Sequence, residues 1–168
     1  MNNMAKSSPE PVQRLRRCLP KLDLSVQYPG GASDAPNRAE VRRWVRASFA
    51  GAAQIGVRFV DEAEARTLNN RYRGKNYATN VLSFPYATGE LLAGDLVLCA
   101  AVVQAEAQQQ CKEISAHYTH LVVHGLLHLQ GYDHERSADD AKIMEAREIA
   151  ILATLGISDP YKTEAEAN

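Results

Sequence analysis

Three histidines stand close together in the segment HGLLHLQGYDH, at positions 124, 128 and 134. His124 and His128 are four residues apart, so on a helix their imidazoles leave the same face about one turn, roughly 6 Å, from each other. Gly131 favours a left-handed turn that ends the helix and brings His134 toward the same point. Three imidazoles with a fourth position left to water are typical of a catalytic zinc ion. We therefore predict one Zn²⁺ ion held by His124, His128 and His134.

Two further histidines, His117 and His120, lie on the same predicted helix. His120 shares the face of His124 and His128, but the outer members of such a triplet are about 12 Å apart, too far for bonds near 2 Å to one ion. We interpret His117 and His120 as core residues or as partners that orient a ligand. Structural zinc sites usually contain Cys and are closed on all four sides, so a set of histidines alone favours catalysis.

The residue after the first histidine distinguishes this segment from a metalloprotease helix. In the H-E-x-x-H pattern the Glu is the general base that activates water for peptide hydrolysis. Here that position is Gly125. A metalloprotease-like hydrolase is therefore the weaker alternative, because its proton acceptor is missing.

A cluster of basic and aromatic side chains precedes an apolar strand within and just before NNRYRGKNYATNVLSF, residues 69–84: Arg66, Arg71, Tyr72, Arg73, Lys75 and Tyr77. A guanidinium group binds two phosphate oxygens at once and stabilises the charge that develops in phosphoryl transfer. The tyrosines are suited to stacking on unpaired nucleobases. The alternative is a solvated loop after a helix.

The elements that must position these residues follow from hydrophobic periodicity. Alternating patterns predict strands over residues 22–28, 55–60, 80–86 and 94–100. Helical patterns predict one helix capped by Asn37 with Glu40 and ending near Gly51, one opening at Asp61, and three in the last third of the chain. The expected fold is α+β: a single compact domain with about four strands in a mixed sheet, about five helices, and the metal site at the end of a helix in the C-terminal half.

The domain is expected to span residues 21–158. Residues 1–20 carry Ser, Pro and scattered basic residues without an apolar period, which predicts a mobile N-terminal extension, and residues 159–168 are expected to form a C-terminal tail.

Composition restricts the class of protein. Of the 168 residues 45% are hydrophobic and 23% charged, as in a globular domain, and the net charge of −1 excludes a global attraction to polyanions. Cys18, Cys99 and Cys111 form no C-x-x-C pair, so we expect a reducing, cytoplasmic environment. No apolar run reaches the roughly 18 residues of a membrane span, and no membrane association is expected.

Two blocks of the sequence resemble the YbeY family of bacterial rRNA-maturation endoribonucleases. Residues 124–134 reproduce H-G-x-L-H-L-x-G-Y-D-H, and residues 72–85 match a block similar to Y-R-x-x-x-x-x-T-N-V-L-S-F-P. Gly94 and Asp95 match the start of the family's next strand. The resemblance covers about residues 22 to 157.

This resemblance implies a compact α+β fold, zinc on His124, His128 and His134, and cleavage of single-stranded RNA, with Arg73 essential for activity. It further implies a cytoplasmic role in 3'-end maturation of the 16S rRNA precursor and in ribosome quality control. The implied partners are the small ribosomal subunit and assembly factors.

Our hypothesis for the reaction is that zinc lowers the pKa of a water molecule aimed at a phosphodiester, while Arg73 neutralises the developing charge. The general base is unassigned, and Asp133 and Glu135 are candidates for this role or for orienting a ligand imidazole. The attacking group, water or the 2'-hydroxyl of the RNA, is also open. The alternative from another class is a non-catalytic ribosome-assembly factor with a structural zinc.

Overall fold

The computed structural model describes residues 20–31 and 33–162. All of the predicted N-terminal extension except Pro20, and residues 163–168 of the predicted tail, lie outside the described residues. The elements follow in the order β1 (Leu22–Gln27), α1 (Arg38–Ser48), β2 (Ala52–Val60), α2 (Glu62–Arg73), β3 (Val81–Ala87), β4 (Leu91–Cys99), α3 (Ala100–Gln109), α4 (Ile114–Leu129) and α5 (Ala138–Thr154). The described part of the chain thus has the four strands and five helices that the sequence predicts.

The four strands form one mixed sheet in the order β1-β2-β4-β3. β1 is parallel to β2, β2 is parallel to β4, and β3 is antiparallel to β4. The predicted α+β fold with a mixed sheet is confirmed. β3 is an edge strand, and its pairing with β4 shifts register between Pro85 and Ala87, which leaves Tyr86 at a β-bulge.

Local capping explains where the first two helices begin and end. Asn37 Oδ1 accepts hydrogen bonds from the backbone of Ala39 and Glu40, and the Glu40 carboxylate accepts one from the Asn37 backbone at 2.8 Å, so the predicted capping box is present. The residue that caps the C-terminus of α2 is Gly74, whose φ of 69° is left-handed. Arg73 is therefore the last residue of α2, at the point where the chain turns toward β3.

The sheet separates two layers of helix. On β4, Leu96 and Leu98 belong to the main core with α1 and α4, whereas Val97 and Cys99 pack on the other face with Ala65 of α2. α4 is the central helix, because most of its residues are buried and it packs against the sheet, α1, α3 and α5.

Two glycines allow α4 to lie unusually close to the sheet. A Cβ on Gly125 would come within 2.8 Å of Leu96 Cδ2, and a Cβ on Gly94 would come within 2.8 Å of Leu129 Cδ2. Real Cβ atoms essentially never approach so closely, so both positions exclude a larger residue unless the packing shifts. The C-terminal half of α4, which carries the histidines, is consequently held against β3 and β4.

The end of α4 has the geometry that the sequence predicts. Gly131 has a φ of 92°, the Tyr132 N–H donates to the Leu127 carbonyl, and the Gly131 N–H donates to the His128 carbonyl. These bonds form a Schellman motif, which ends the helix and turns the chain back toward its own last turn. Among the described residues no helix is both long and apolar enough to span a membrane.

Candidate metal centre and its cavity

The three histidines of the signature segment converge at the end of α4. Their ligand atoms all lie within 4.8 Å of one another. The Nε2 atoms of His124 and His128 are 3.2 Å apart, and the His134 ring lies 5.2 and 5.1 Å from the other two ring centroids. The left-handed turn at Gly131 brings His134 to the pair from the loop, as its spacing predicts.

Glu148 of α5 is a further component of this group, which the sequence analysis missed. Its side chain is fully buried, and its Oε1 atom lies 3.1 Å from His124 Nδ1 and 3.2 Å from His120 Nε2. The other oxygen accepts a hydrogen bond from the Tyr161 hydroxyl. Burial alone would raise the pKa of Glu148, but the hydrogen bonds from His120, His124 and Tyr161 outweigh it and lower the pKa to about 2.

The contact with Glu148 orients the His124 ring. An ionised carboxylate only accepts hydrogen bonds, so His124 donates from Nδ1, and its other ring nitrogen, Nε2, faces His128. Burial lowers the pKa of His128, and the neighbouring His124 and His134 lower it further.

The Nε2 atoms of His124 and His128, 3.2 Å apart, point at one place, where they can share a cation. Neutral imidazole is also a preferred ligand of zinc. The donor set of His124, His128 and His134 therefore fits a metal ion.

A second set of possible ligands, His120, His124 and Glu148, also lies within 4.8 Å. Its contacts of 3.1 and 3.2 Å are ordinary N–H···O hydrogen bonds to a buried carboxylate. We assign this set to hydrogen bonding. His117 does not join either set, because its Nε2 lies 2.8 Å from Glu106 instead.

The histidines open into a cavity of about 1120 Å³ that Arg73 also lines. The Nη2 atom of Arg73 is 3.6 Å from Glu135 Oε1, and both side chains are substantially exposed. Such an exposed pair is weak, so the guanidinium is available to a stronger anion. The structure thus brings the predicted Arg73 to the same cavity as the three histidines.

The rest of the basic and aromatic cluster lies outside the cavity. Arg66 donates to Asn76, and the Arg71 guanidinium lies 5.5 Å from the centre of the Tyr72 ring. Tyr72 and Tyr77 are more than half exposed, but neither lines the cavity.

Another tyrosine, Tyr86, lines the cavity and was not singled out from the sequence. Its side chain is 68% exposed, and its hydroxyl donates to Asp95 Oδ2 at 2.7 Å. This hydrogen bond is the main reason why the pKa of Tyr86 is raised to about 12. Tyr86 lies at the register shift between Pro85 and Ala87, and such an irregularity has no clear signal in an alternating pattern.

The two acidic residues near His134 have other partners. Asp133 Oδ1 accepts from the Glu135 backbone at 2.9 Å, and Asp133 Oδ2 is 3.1 Å from the Arg136 guanidinium. Glu135 faces Arg73. The carboxylate that contacts the His124 imidazole belongs to Glu148, which the sequence alone does not distinguish from the other acidic residues of α5.

Comparison with known proteins agrees with this geometry. The family model described as Endoribonuclease YbeY matches residues 34–156. Endoribonuclease YbeY of Aromatoleum aromaticum is 54% identical over 144 residues, covering 84% of this chain and 93% of the relative. Endoribonuclease YbeY of Nitrosospira multiformis is 47% identical over 169 residues, covering 92% of this chain and 89% of the relative.

A solved structure shows the same fold. The solution structure of TM1509 from Thermotoga maritima matches with a TM-score of 0.52 and 24% identity, covering 83% of this chain and 99% of that one. The family model covers most of the chain, and the relatives match it over nearly their whole length. The chain therefore belongs to the YbeY family.

Proposed function

We propose that this protein is a zinc-dependent endoribonuclease that cleaves single-stranded RNA. The observation that carries the proposal is the convergence of three imidazole nitrogens, within 4.8 Å of one another, in a cavity that Arg73 also lines. The relatives that share about half of its residues are named as endoribonucleases, which supports RNA as the substrate.

The ligand side chains would hold the ion and keep the site open. A bound Zn²⁺ supplies Lewis acidity, which lowers the pKa of water and polarises a phosphoryl oxygen. His124, His128 and His134 would hold the ion through ring nitrogens, and the cavity beside them has room for water and substrate. A structural zinc, as in the alternative of a non-catalytic assembly factor, would normally have a fourth protein ligand.

Arg73 would bind the scissile phosphate. Its planar guanidinium can donate to two phosphate oxygens and neutralise charge in the transition state, which Lys cannot do in the same geometry. Its present partner, Glu135, is 67% exposed at 3.6 Å, so a phosphate can displace that carboxylate without leaving a buried charge. We leave the general base and the attacking group unassigned.

Tyr86 would bind an unpaired base next to the scissile phosphate. Its ring is exposed, while its hydroxyl is held by Asp95, so the ring is oriented before RNA binds. Bases in a single strand offer their faces to aromatic side chains, whereas bases in a duplex are already stacked on each other. This stacking supports a preference for single strands.

Peptide hydrolysis is not supported by the packing of α4. Gly125 occupies the position of the protease Glu, and a side chain there would meet Leu96 and Ser83 at the sheet. A glutamate at this position would have to displace those side chains.

The role that we propose for the protein in the cell follows from the family resemblance. The enzyme would act in the cytoplasm on the 3' end of the 16S rRNA precursor and in ribosome quality control, together with the small ribosomal subunit and assembly factors. Cells whose only copy carries Arg73→Ala should accumulate 16S rRNA with an unprocessed 3' end. Normal 16S rRNA in such cells would instead favour the assembly factor with a structural zinc.

The direct test uses purified protein and one labelled RNA, either alone or annealed to its complement. We expect cleavage of the single strand, little cleavage of the duplex, loss of cleavage after chelation and recovery with zinc. An absence of RNA cleavage by the zinc-loaded protein, or chelator-sensitive cleavage of peptides, would contradict the proposal.

A further inference from the structure

A single buried carboxylate connects the histidines of α4 with the segment that follows α5. Glu148 contacts two histidines through one oxygen and Tyr161 through the other. We propose that Glu148 is a positioning residue of the metal centre and that Tyr161, by its hydrogen bond to Glu148, makes the segment after α5 part of that centre. The inference rests on the proposed metal binding by His124, His128 and His134.

The first step concerns the orientation of His124. Its Nδ1–H donates to Glu148 Oε1 at 3.1 Å, so the ring is held at one nitrogen by α5 while the other nitrogen faces His128. Rotation of the imidazole or a change of tautomer would break this bond. Metal-ligating histidines commonly need such a partner, and its loss typically weakens metal binding about 10- to 100-fold.

The second step concerns the carboxylate itself. Glu148 has no exposed surface, and an ionised buried carboxylate is costly unless several donors satisfy it. His120, His124 and Tyr161 supply three donors. Tyr161 is the donor that does not come from α4, and its ring also packs edge-on against His120, with ring centroids 5.9 Å apart.

The third step concerns how Tyr161 reaches the site. Gly156 has a φ of 78°, and the Ile157 N–H donates to the Leu152 carbonyl, so α5 ends in the same type of left-handed turn as α4. The Tyr161 N–H then donates to Asp159 Oδ1 at 2.9 Å. Tyr161 lies beyond residues 34–156, which the family model matches, and within the segment that the sequence analysis expected to be a tail.

The competing interpretation is a second metal ion on His120, His124 and Glu148, whose ligand atoms lie within 4.8 Å. It would require His124 to bridge two ions. The hydrogen-bonded assignment predicts one equivalent of zinc per chain, and the second-site assignment predicts two.

The test measures zinc affinity directly, by competition with a chromophoric chelator, in the full-length protein. Glu148→Gln should weaken zinc binding about 10- to 100-fold. Tyr161→Phe, which removes only the hydroxyl, should weaken it roughly two- to tenfold, the usual effect of one hydrogen bond. The matched controls are Glu64→Gln on α2 and Tyr28→Phe, whose hydroxyl donates to the Pro36 carbonyl, and both should bind zinc like the wild type.

Nitrogen-15 NMR of the histidines adds a readout that a merely structural role would not change. In the wild type, His124 should be protonated at Nδ1 and bind zinc through Nε2, whereas Glu148→Gln should show a mixture of tautomers. Thermal unfolding of the zinc-free variants establishes that each one folds. If Glu148→Gln does not fold, Tyr161→Phe carries the test, because that hydroxyl belongs to a side chain that is 44% exposed.

Several results would overturn the inference. Wild-type zinc affinity in folded Glu148→Gln would exclude a positioning role, and wild-type affinity in Tyr161→Phe would exclude Tyr161 from the centre. Two zinc equivalents, one of them lost in Glu148→Gln, would make Glu148 a ligand. A wild type that binds no zinc would remove the inference together with the ligand assignment, whereas a zinc protein that does not cleave RNA would refute the proposed function alone.

Discussion

The Nε2 atoms of His124 and His128 face each other at 3.2 Å, with the proton of His124 held on the opposite nitrogen by Glu148. This arrangement directs both nitrogens to one point, where they can share a cation. It supports the ligand assignment beyond sequence spacing, because spacing does not determine how the rings are oriented.

Replacement of one ligand should abolish stable zinc binding. We expect His128→Ala to weaken zinc binding more than about 100-fold, beyond the effect of losing an orienting partner. Metal analysis after gel filtration measures this loss. His117→Gln is the matched control. His117 lies on the same helix, but its ring contacts Glu106 and is not one of the three proposed zinc ligands. Zinc retained by His128→Ala would refute the ligand set.

Arg73→Lys should keep the positive charge but lose the paired donors. We expect kcat for cleavage of single-stranded RNA to fall about 100-fold, the usual effect of removing an oriented donor, with a smaller change in RNA affinity. Arg71→Lys is the control, since Arg71 lies against Tyr72 and does not line the cavity. Equal rates for both variants and the wild type would exclude Arg73 from the reaction.

Tyr86→Ala should raise KM for single-stranded RNA by roughly tenfold, because stacking of one base contributes about 1–3 kcal/mol. Tyr86→Phe retains the ring and should change KM much less, although it loses the hydrogen bond to Asp95. Tyr77→Ala removes a comparably exposed ring outside the cavity and serves as the control. If Tyr77→Ala and Tyr86→Ala raise KM equally, the cavity does not define the base-binding site.

Gly125→Glu tests why the protease carboxylate is absent. The new side chain would press against Leu96 and Ser83 and bury a charge, so we expect the free energy of unfolding to fall by about 3 kcal/mol or more, without any peptidase activity. Urea denaturation measures the change. Ser115→Glu, at an exposed position of the same helix, should have little effect. A stable Gly125→Glu protein would show that Leu96 and Ser83 can make room for the new side chain.

Much of the fold could be predicted because its signals are local. The Asn37 capping box, the alternation of β4 and the glycine after α4 all act within a few residues of the chain, and each has the predicted consequence. Strand order and the direction of β3 could not be predicted, since pairing depends on residues far apart in the chain.

The candidate site also has some residues that local sequence signals predict and others that they do not. His124, His128 and His134 belong to one continuous segment, so helix periodicity and one left-handed turn were sufficient to predict their convergence. Arg73 was selected by chemistry and family resemblance, and its role stays a prediction. Tyr86 was missed because the register irregularity of β3 has no local signal. Tyr72 and Tyr77, which are suited to stacking on bases, lie outside the cavity.

The sequence by itself determined that His124, His128 and His134 converge, because their geometry is encoded by spacing along one helix and its terminal turn. Only the tertiary structure decided which groups surround them. Glu148 and Tyr161 reach His124 because α5 and its final turn pack against α4, and Gly125 is small because α4 lies against β4. Contacts between separate elements depend on packing of the whole core, which no local pattern specifies.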